Sequence, residues 1–272
     1  MARCFLYVPG HRADRFAKAF ASGADAVILD LEDAVPVLAK DDARRDVRTF
    51  LDEVAPGPVA AWVRINAGDR GRADLQALAG ATALAGVVVP KATPDVLASR
   101  HADAPDVALI PLVESAVALT AAAAIAASAG VQTLAIGEVD LAADLGLGDD
   151  VPDAALWALR MHVVVACAAA GRSAPLGPVI RDIEDLGGFA TTVRQLRHAG
   201  FGAIQAIHPK QVSVANDELT PTPDEVAAAE RLLEAAAGVD GGVFVDDAGR
   251  MIDEAVLRSA RRTLGLVAPP ND

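Results

Sequence analysis

At 272 residues, 53% apolar and 4% aromatic, the chain has the composition of a packed globular protein, which excludes a disordered or fibrous one. A formal charge of −13, with no block of Lys or Arg, argues against a nucleic-acid partner. It still admits a small anionic substrate wherever local positive charge gathers.

In chain order, short β-branched runs alternate with longer helical stretches. The first run, at 4–8, ends in Pro9-Gly10 and precedes a helical stretch at 12–22; its apolar part is too short for a signal peptide. The run at 26–31 passes without a turn into three carboxylates, Asp30, Glu32 and Asp33, ahead of helical residues 39–54. Runs at 60–65, 86–89, 107–112 and 133–136 follow, with helical stretches at 70–84, 94–101, 115–129 and 151–170. A weaker run at 173–179 and another at 202–207 complete the series, with helical stretches at 184–198 and 209–216. Glycines at 23, 86, 130 and 200 stand where helices give way to strands, and a left-handed C-cap is expected at each.

Residues 115–137 carry no charge and are long enough to span a membrane, but Ala dominates them and Ser, Thr, Gln and Gly130 interrupt them. A buried helix followed by a strand is the expectation, and no membrane partner. Cys4 and Cys167 form neither a disulfide framework nor a metal spacing, which suits a reducing cytoplasm.

Strands apolar along their whole length are buried on both faces, as in a parallel sheet covered by helices. Eight strand–helix units in about 220 residues is the count of a (β/α)8 TIM barrel. An open doubly wound sheet is disfavoured because no glycine-rich phosphate loop follows the first strand. The expected division is a barrel over 1–220 and a C-terminal helical appendage over 221–272, opened by Pro-Thr-Pro and containing a helix at 224–237.

Barrel chemistry sits at the C-terminal ends of the strands. The residues there are Asp30, Glu32 and Asp33, then Arg64 and Asn66, Pro90-Lys91, Glu114, the Glu138–Asp140 pair and His208, whereas the strand starts are bland. Asp33 reads equally well as the N-cap of the next helix. Glu114 differs, because Ser115 can cap the following helix by itself and leaves Glu114 to point into the mouth. Two acids at neighbouring strand ends, Glu114 and Asp140, are costly unless a cation or a shared proton relieves them. Magnesium commonly takes one or two carboxylates and completes its shell with water and substrate oxygens. Arg64, inside an apolar strand, is expected to reach the mouth, where its planar fork suits a carboxylate or enolate. A salt bridge to Asp30, Glu32 and Asp33 is the other reading, and both hold if that patch positions the guanidinium.

Five ordered blocks, "RCFLYVPG…ASGADAVILDLEDAV", "VRIN", "PLVES", "IGEVDLAADLG" and "AIHPKQV", together with "RMIDEAVLRSARRTLG", resemble the citrate lyase beta-subunit-like proteins of the HpcH/HpaI aldolase group, beside the malyl-CoA and citramalyl-CoA lyases. The resemblance implies a (β/α)8 barrel, trimeric or hexameric, whose C-terminal element reaches a neighbouring subunit. It implies Mg²⁺-dependent making or breaking of a carbon–carbon bond between a keto acid and a thioester enolate, with CoA or an acyl carrier protein as the carrier. By position it makes Glu114 and Asp140 the metal ligands and sets Arg64 against the keto acid and the thioester oxygen. It places Arg3 in the pocket and makes Asp253 an acid supplied across the subunit contact. His11, Arg12, Arg15 and Lys18 are candidates for the carrier's phosphates, or a solvated helix face.

Four positions depart from the family pattern: Cys4 for serine, Val139 for an acid, Leu176 for an aspartate before "GP", and Ile204 for a lysine. The last three are expected to remove polar groups from around the mouth. The leading expectation is a lyase for citryl-, malyl- or citramalyl-type thioesters. The alternatives are an aldolase for free hydroxy-keto acids and a non-catalytic ligand-binding subunit of the same fold.

Overall fold

The short apolar runs form a closed parallel barrel because each is buried on both faces. In the computed structural model, which describes residues 2–55, 57–148, 151–237, 243–246 and 249–265, eight strands close in chain order, β1 to β8. They are β1 (Cys4–Pro9), β2 (Ala26–Asp30), β3 (Ala60–Arg64), β4 (Leu84–Val89), β5 (Ala108–Val113), β6 (Ala135–Ile136), β7 (Leu176–Gly177) and β8 (Ala203–Ala206). Helices α1 (Phe16–Phe20), α2 (Lys40–Glu53), α3 (Gly68–Leu78) and α4 (Pro94–Asp103) follow the first four strands. Then come α5 (Ala116–Thr120), α6 (Ala122–Ala127), α7 (Glu138–Asp144), α8 (Asp153–Ala169), α9 (Leu186–His198) and α10 (Pro209–Leu219).

Side chains alternate between the barrel interior and the sheet–helix layer. Phe5, Ile28, Trp62, Val88, Ile110 and Leu176 fill the interior, beside alanines at 26, 135 and 203. Small residues opposite Phe5 and Trp62 let two large rings, 6.2 Å apart, share a narrow barrel. Leu176 therefore belongs to the packed floor. Ile204 is 1% exposed and lies beside Leu196 of α9 near Gly177, in the sheet–helix layer. Neither departure strips a polar group from the mouth, contrary to expectation; only Val139, 46% exposed, stands there.

Two expectations need correction. Gly23, Gly130 and Gly200 have positive φ, but Gly86 does not; the left-handed glycine after α3 is Gly80. Gly86 lies inside β4, where a Cβ would strike the Trp62 ring, so its smallness serves packing rather than capping. The stretch 115–129 is two short helices, broken at Ala121 with φ −94° and ψ 5°.

The chain divides into two units, one over Ala2–Asp217 holding the barrel and one over Glu218–Asp272. The second unit contains α11 (Pro223–Ala237), β9 (Phe244–Val245), β10 (Met251–Ile252) and α12 (Glu254–Gly265). Strands β9 and β10 pair antiparallel. Thr222 and Glu225 form a reciprocal capping box at the start of α11. No helix among the described residues is long and apolar enough to cross a membrane.

Candidate active site

The acid patch that ends β2 is explained by the arginine beside it. Asp30 and Arg64 are register partners on β2 and β3, both turned into the mouth. The Arg64 guanidinium donates twice to Asp30, at 2.7 Å and 2.6 Å. Its Nη1 lies 3.1 Å from Glu32 and 3.5 Å from Asp33, and its flat face covers the Tyr7 ring at 5.2 Å. Burial alone would lower the guanidinium pKa, but hydrogen bonding to Asp30 and its charge raise it overall. Asp30 also accepts the Glu32 and Ala34 amides, and the Lys40 ammonium donates to the Leu31 and Glu32 carbonyls. Asp33 is no helix cap: its side chain is 64% exposed and faces Arg64.

Glu32 is in contact with Arg64 without a hydrogen bond at Oε2. Burial pushes its carboxyl up to about 8, against the pull of Arg64 and with help from the neighbouring acids. Glu32 therefore holds a proton at neutral pH, which trims the negative charge of the patch. Beneath Arg64, the Tyr7 hydroxyl donates to Gln205, whose amide donates to the Ile136 and Gly177 carbonyls. This ties β1, β6, β7 and β8 into a polar floor.

Above that floor lies a cavity of about 350 Å³, lined by Tyr7, Asp30, Arg64, Val139, Asp140 and Arg181 among others. Arg181 is exposed and has no ion pair or hydrogen bond to the described residues. Its loop is nevertheless fixed, since the buried Gln211 donates to the Ile180 carbonyl at 2.9 Å.

Glu114 and Asp140 meet on the β5–β6 side. Ser115 caps α5 through the Ala118 amide, so Glu114 is free of capping. It is fully buried rather than open to the cavity. Oε1 accepts the Lys91 amide at 2.7 Å and lies 3.2 Å from the Lys91 ammonium, while Oε2 is buried without a hydrogen-bond partner. Burial, assisted by Asp140, raises the Glu114 pKa against the opposing pull of Lys91. Asp140, in the first turn of α7 and half exposed, is 3.8 Å from the same ammonium. Gly137 permits the approach: a Cβ there would lie 2.6 Å from the Glu114 Cβ.

The remaining sequence candidates take structural places. Arg3 is not in the mouth; it precedes β1 and grips Asp25 with its backbone amide and guanidinium, at the strand-start end of the barrel. Glu138 does not replace the acid missing at Val139, because Arg160 binds it at 2.5 Å and 2.8 Å. Asn66 binds Asp74, and His208 Nδ1 accepts the Lys210 amide at the start of α10. Arg12 is paired with Asp14, whereas His11, Arg15 and Lys18 are exposed. Asp253, in the second unit, accepts the Ala255 and Val256 amides and caps α12. Two residues given no role by sequence matter here. Lys91 was visible at its strand end. Arg181 follows the weak β7 run, where no strand end was distinct enough to point to it.

Fold and site together define a (β/α)8-barrel protein whose strand ends present a fixed guanidinium and a pair of carboxylates, Glu114 buried and Asp140 half exposed. The chain belongs to the HpcH/HpaI aldolase/citrate lyase family, whose model matches residues 3–209. It is 38% identical over 269 residues to a citrate lyase subunit beta-like protein of Mycobacterium tuberculosis, covering 96% of this chain and 93% of that one. It is 34% identical over 274 residues to a (3S)-malyl-CoA thioesterase of Cereibacter sphaeroides, with the same coverage. A crystal structure of CitE from M. tuberculosis in complex with magnesium, acetoacetate and coenzyme A superimposes with a TM-score of 0.83, at 34% identity and 97% coverage of both chains.

The site fits a hard divalent cation. Its donors are carboxylate oxygens, Glu114 Oε2 is buried without a hydrogen-bond partner, and one ammonium already spans both acids. Among the described residues no group of three or more His, Cys, Asp and Glu is placed to hold a metal ion. A two-carboxylate site completed by water and substrate oxygens suits magnesium better than zinc.

Proposed function

We propose that this chain is a Mg²⁺-dependent carbon–carbon lyase that cleaves a citryl-, malyl- or citramalyl-type thioester into a keto acid and an acyl thioester. The observation that carries the reading is the convergence of Glu114 and Asp140 on one cationic position, on the same barrel mouth as the Asp30-held Arg64. Family membership and the magnesium, acetoacetate and coenzyme A of the CitE complex support it.

Glu114 and Asp140 would hold the ion, which when bound polarises the keto-acid oxygen. Arg64, kept in one orientation by Asp30 and Tyr7, offsets charge developing on the enolate with a donor that needs no reorganisation. Arg181 adds positive charge at the rim for the substrate's anionic groups. The protonated Glu32 keeps the patch from repelling them. Val139, Leu112, Ile136 and Val179 give the cavity an apolar wall that limits water around the reacting atoms.

In the same reading Asp253 is brought to this site by a neighbouring subunit of a homotrimer or hexamer and serves proton transfer. The carrier is CoA or an acyl carrier protein. The free, buried thiols of Cys4 and Cys167 are at home in a reducing cytoplasm. Incubating the purified chain with Mg²⁺ and a panel of CoA thioesters tests the proposal. A keto acid and an acyl-CoA in equal amounts are expected. Release of free CoA with an intact hydroxy acid would show hydrolysis instead, and turnover of only free hydroxy-keto acids would show an aldolase.

A further inference from the structure

The cationic position between Glu114 and Asp140 is held by the protein's own Lys91. Lys91 is the one non-glycine residue with positive φ among those described, at 49°. Such a conformation is uncommon for a side chain of this kind and persists where the surroundings impose it. What imposes it here is Glu114, whose Oε1 takes both the Lys91 amide, at 2.7 Å, and the Lys91 ammonium, at 3.2 Å. The left-handed turn folds the residue back so that its two donors address one oxygen. The same ammonium continues to Asp140 at 3.8 Å.

The side chain is half exposed, so it is free to swing toward solvent, whereas Glu114 is fully enclosed and Oε2 has no donor of its own. Arg64 and Arg160 are committed elsewhere, to Asp30 and to Glu138. Among the described residues, Lys91 is thus the cation that reaches both acids, and it stands where a metal would approach them.

We propose that Lys91 is an internal competitor for the metal: its ammonium holds the Glu114–Asp140 pair together in the metal-free protein and must leave for a divalent cation to bind. Lys91 is a positioning residue that sets metal affinity, and entry of the ion is coupled to release of a lysine at the mouth. The inference rests on reading Glu114 and Asp140 as the metal pair, but not on the reaction that follows.

The test is calorimetric titration of Mg²⁺ alone into the full-length chain at pH 8, without substrate, for wild type, Lys91→Met, Lys91→Arg and Glu114→Gln. Circular dichroism confirms that each variant is folded. If the ammonium competes, Lys91→Met binds Mg²⁺ about two- to fivefold more tightly than wild type, the size expected for losing one half-screened ion-pair partner. Lys91→Arg, which keeps the charge, stays close to wild type. Equal or weaker binding by Lys91→Met would overturn the inference and make Lys91 a support for the metal pair. Failure of the metal reading looks different: no Mg²⁺ binding by wild type or Lys91→Met, or binding untouched by Glu114→Gln. As a second readout, reductively ¹³C-methylated protein should show a Lys91 resonance that moves to a solvent-like position on Mg²⁺ addition; a resonance that stays put would count against displacement.

Discussion

Asp30→Asn isolates the contact that orients the Arg64 guanidinium. The wild-type pair is bidentate at 2.6 Å and 2.7 Å, with side chains 12% and 2% exposed. An asparagine keeps the shape but turns an NH₂ toward a cation that has only donors, and it removes the buried counter-charge. Breaking one side of a buried pair costs about 3–5 kcal/mol. Here the charged Asp33, at 3.5 Å, retains part of the interaction. The loss should therefore lie near the lower end, about 3 kcal/mol, or a melting temperature lower by roughly 6–12 °C for a unit of this size. Urea denaturation in chelator, followed by circular dichroism, measures it without metal contributions. A cycle with Arg64→Gln and the double variant should return a coupling above about 1.5 kcal/mol. Lyase kcat should fall more than KM rises, because a guanidinium free to tilt is lost mainly to the transition state. A stability change within about 0.5 kcal/mol, with kcat intact, would refute the assignment of Asp30 as the residue that holds Arg64.

Glu32, raised by burial from an ordinary 4.5 to about 8, contributes stability that is complete below the lower value and is lost as pH rises through the higher. Glu32→Gln should therefore gain on wild type between pH 5 and 9 in metal-free urea titrations, and a difference that does not vary with pH would reject the buried-proton reading. Gly137→Ala places a Cβ 2.6 Å from that of Glu114; a destabilisation of about 1–3 kcal/mol and weaker Mg²⁺ binding by calorimetry are expected, and wild-type values for both would show that the approach is not tight. Asp253→Asn keeps a good N-cap for α12, so thermal stability should hold while turnover falls at least tenfold if the carboxyl transfers a proton; unchanged turnover would confine Asp253 to capping.

Asp30, Glu32, Asp33, Arg64, Glu114 and Asp140 were all legible as strand-end residues, because a parallel barrel converts a run of apolar residues into a strand and its last residue into a rim position. The two-residue strands β6 and β7 were the least distinct, since so short a run has no period of its own. Arg181 was missed for that reason.

Arg3 shows the opposite limit: family position suggested the pocket, yet the residue precedes its strand, and the parallel register sets it beside Asp25 at the other end. Chain order and apolar patterning by themselves determined the barrel and which segments end at the mouth, because strand direction is shared in a parallel sheet. Only the tertiary structure decided which charges meet: that Arg64 belongs to Asp30, that Glu138 is consumed by Arg160, and that Lys91 reaches both Glu114 and Asp140. Ion pairing depends on distances of a few ångströms between strand ends far apart in sequence, and no local pattern of residues encodes those distances.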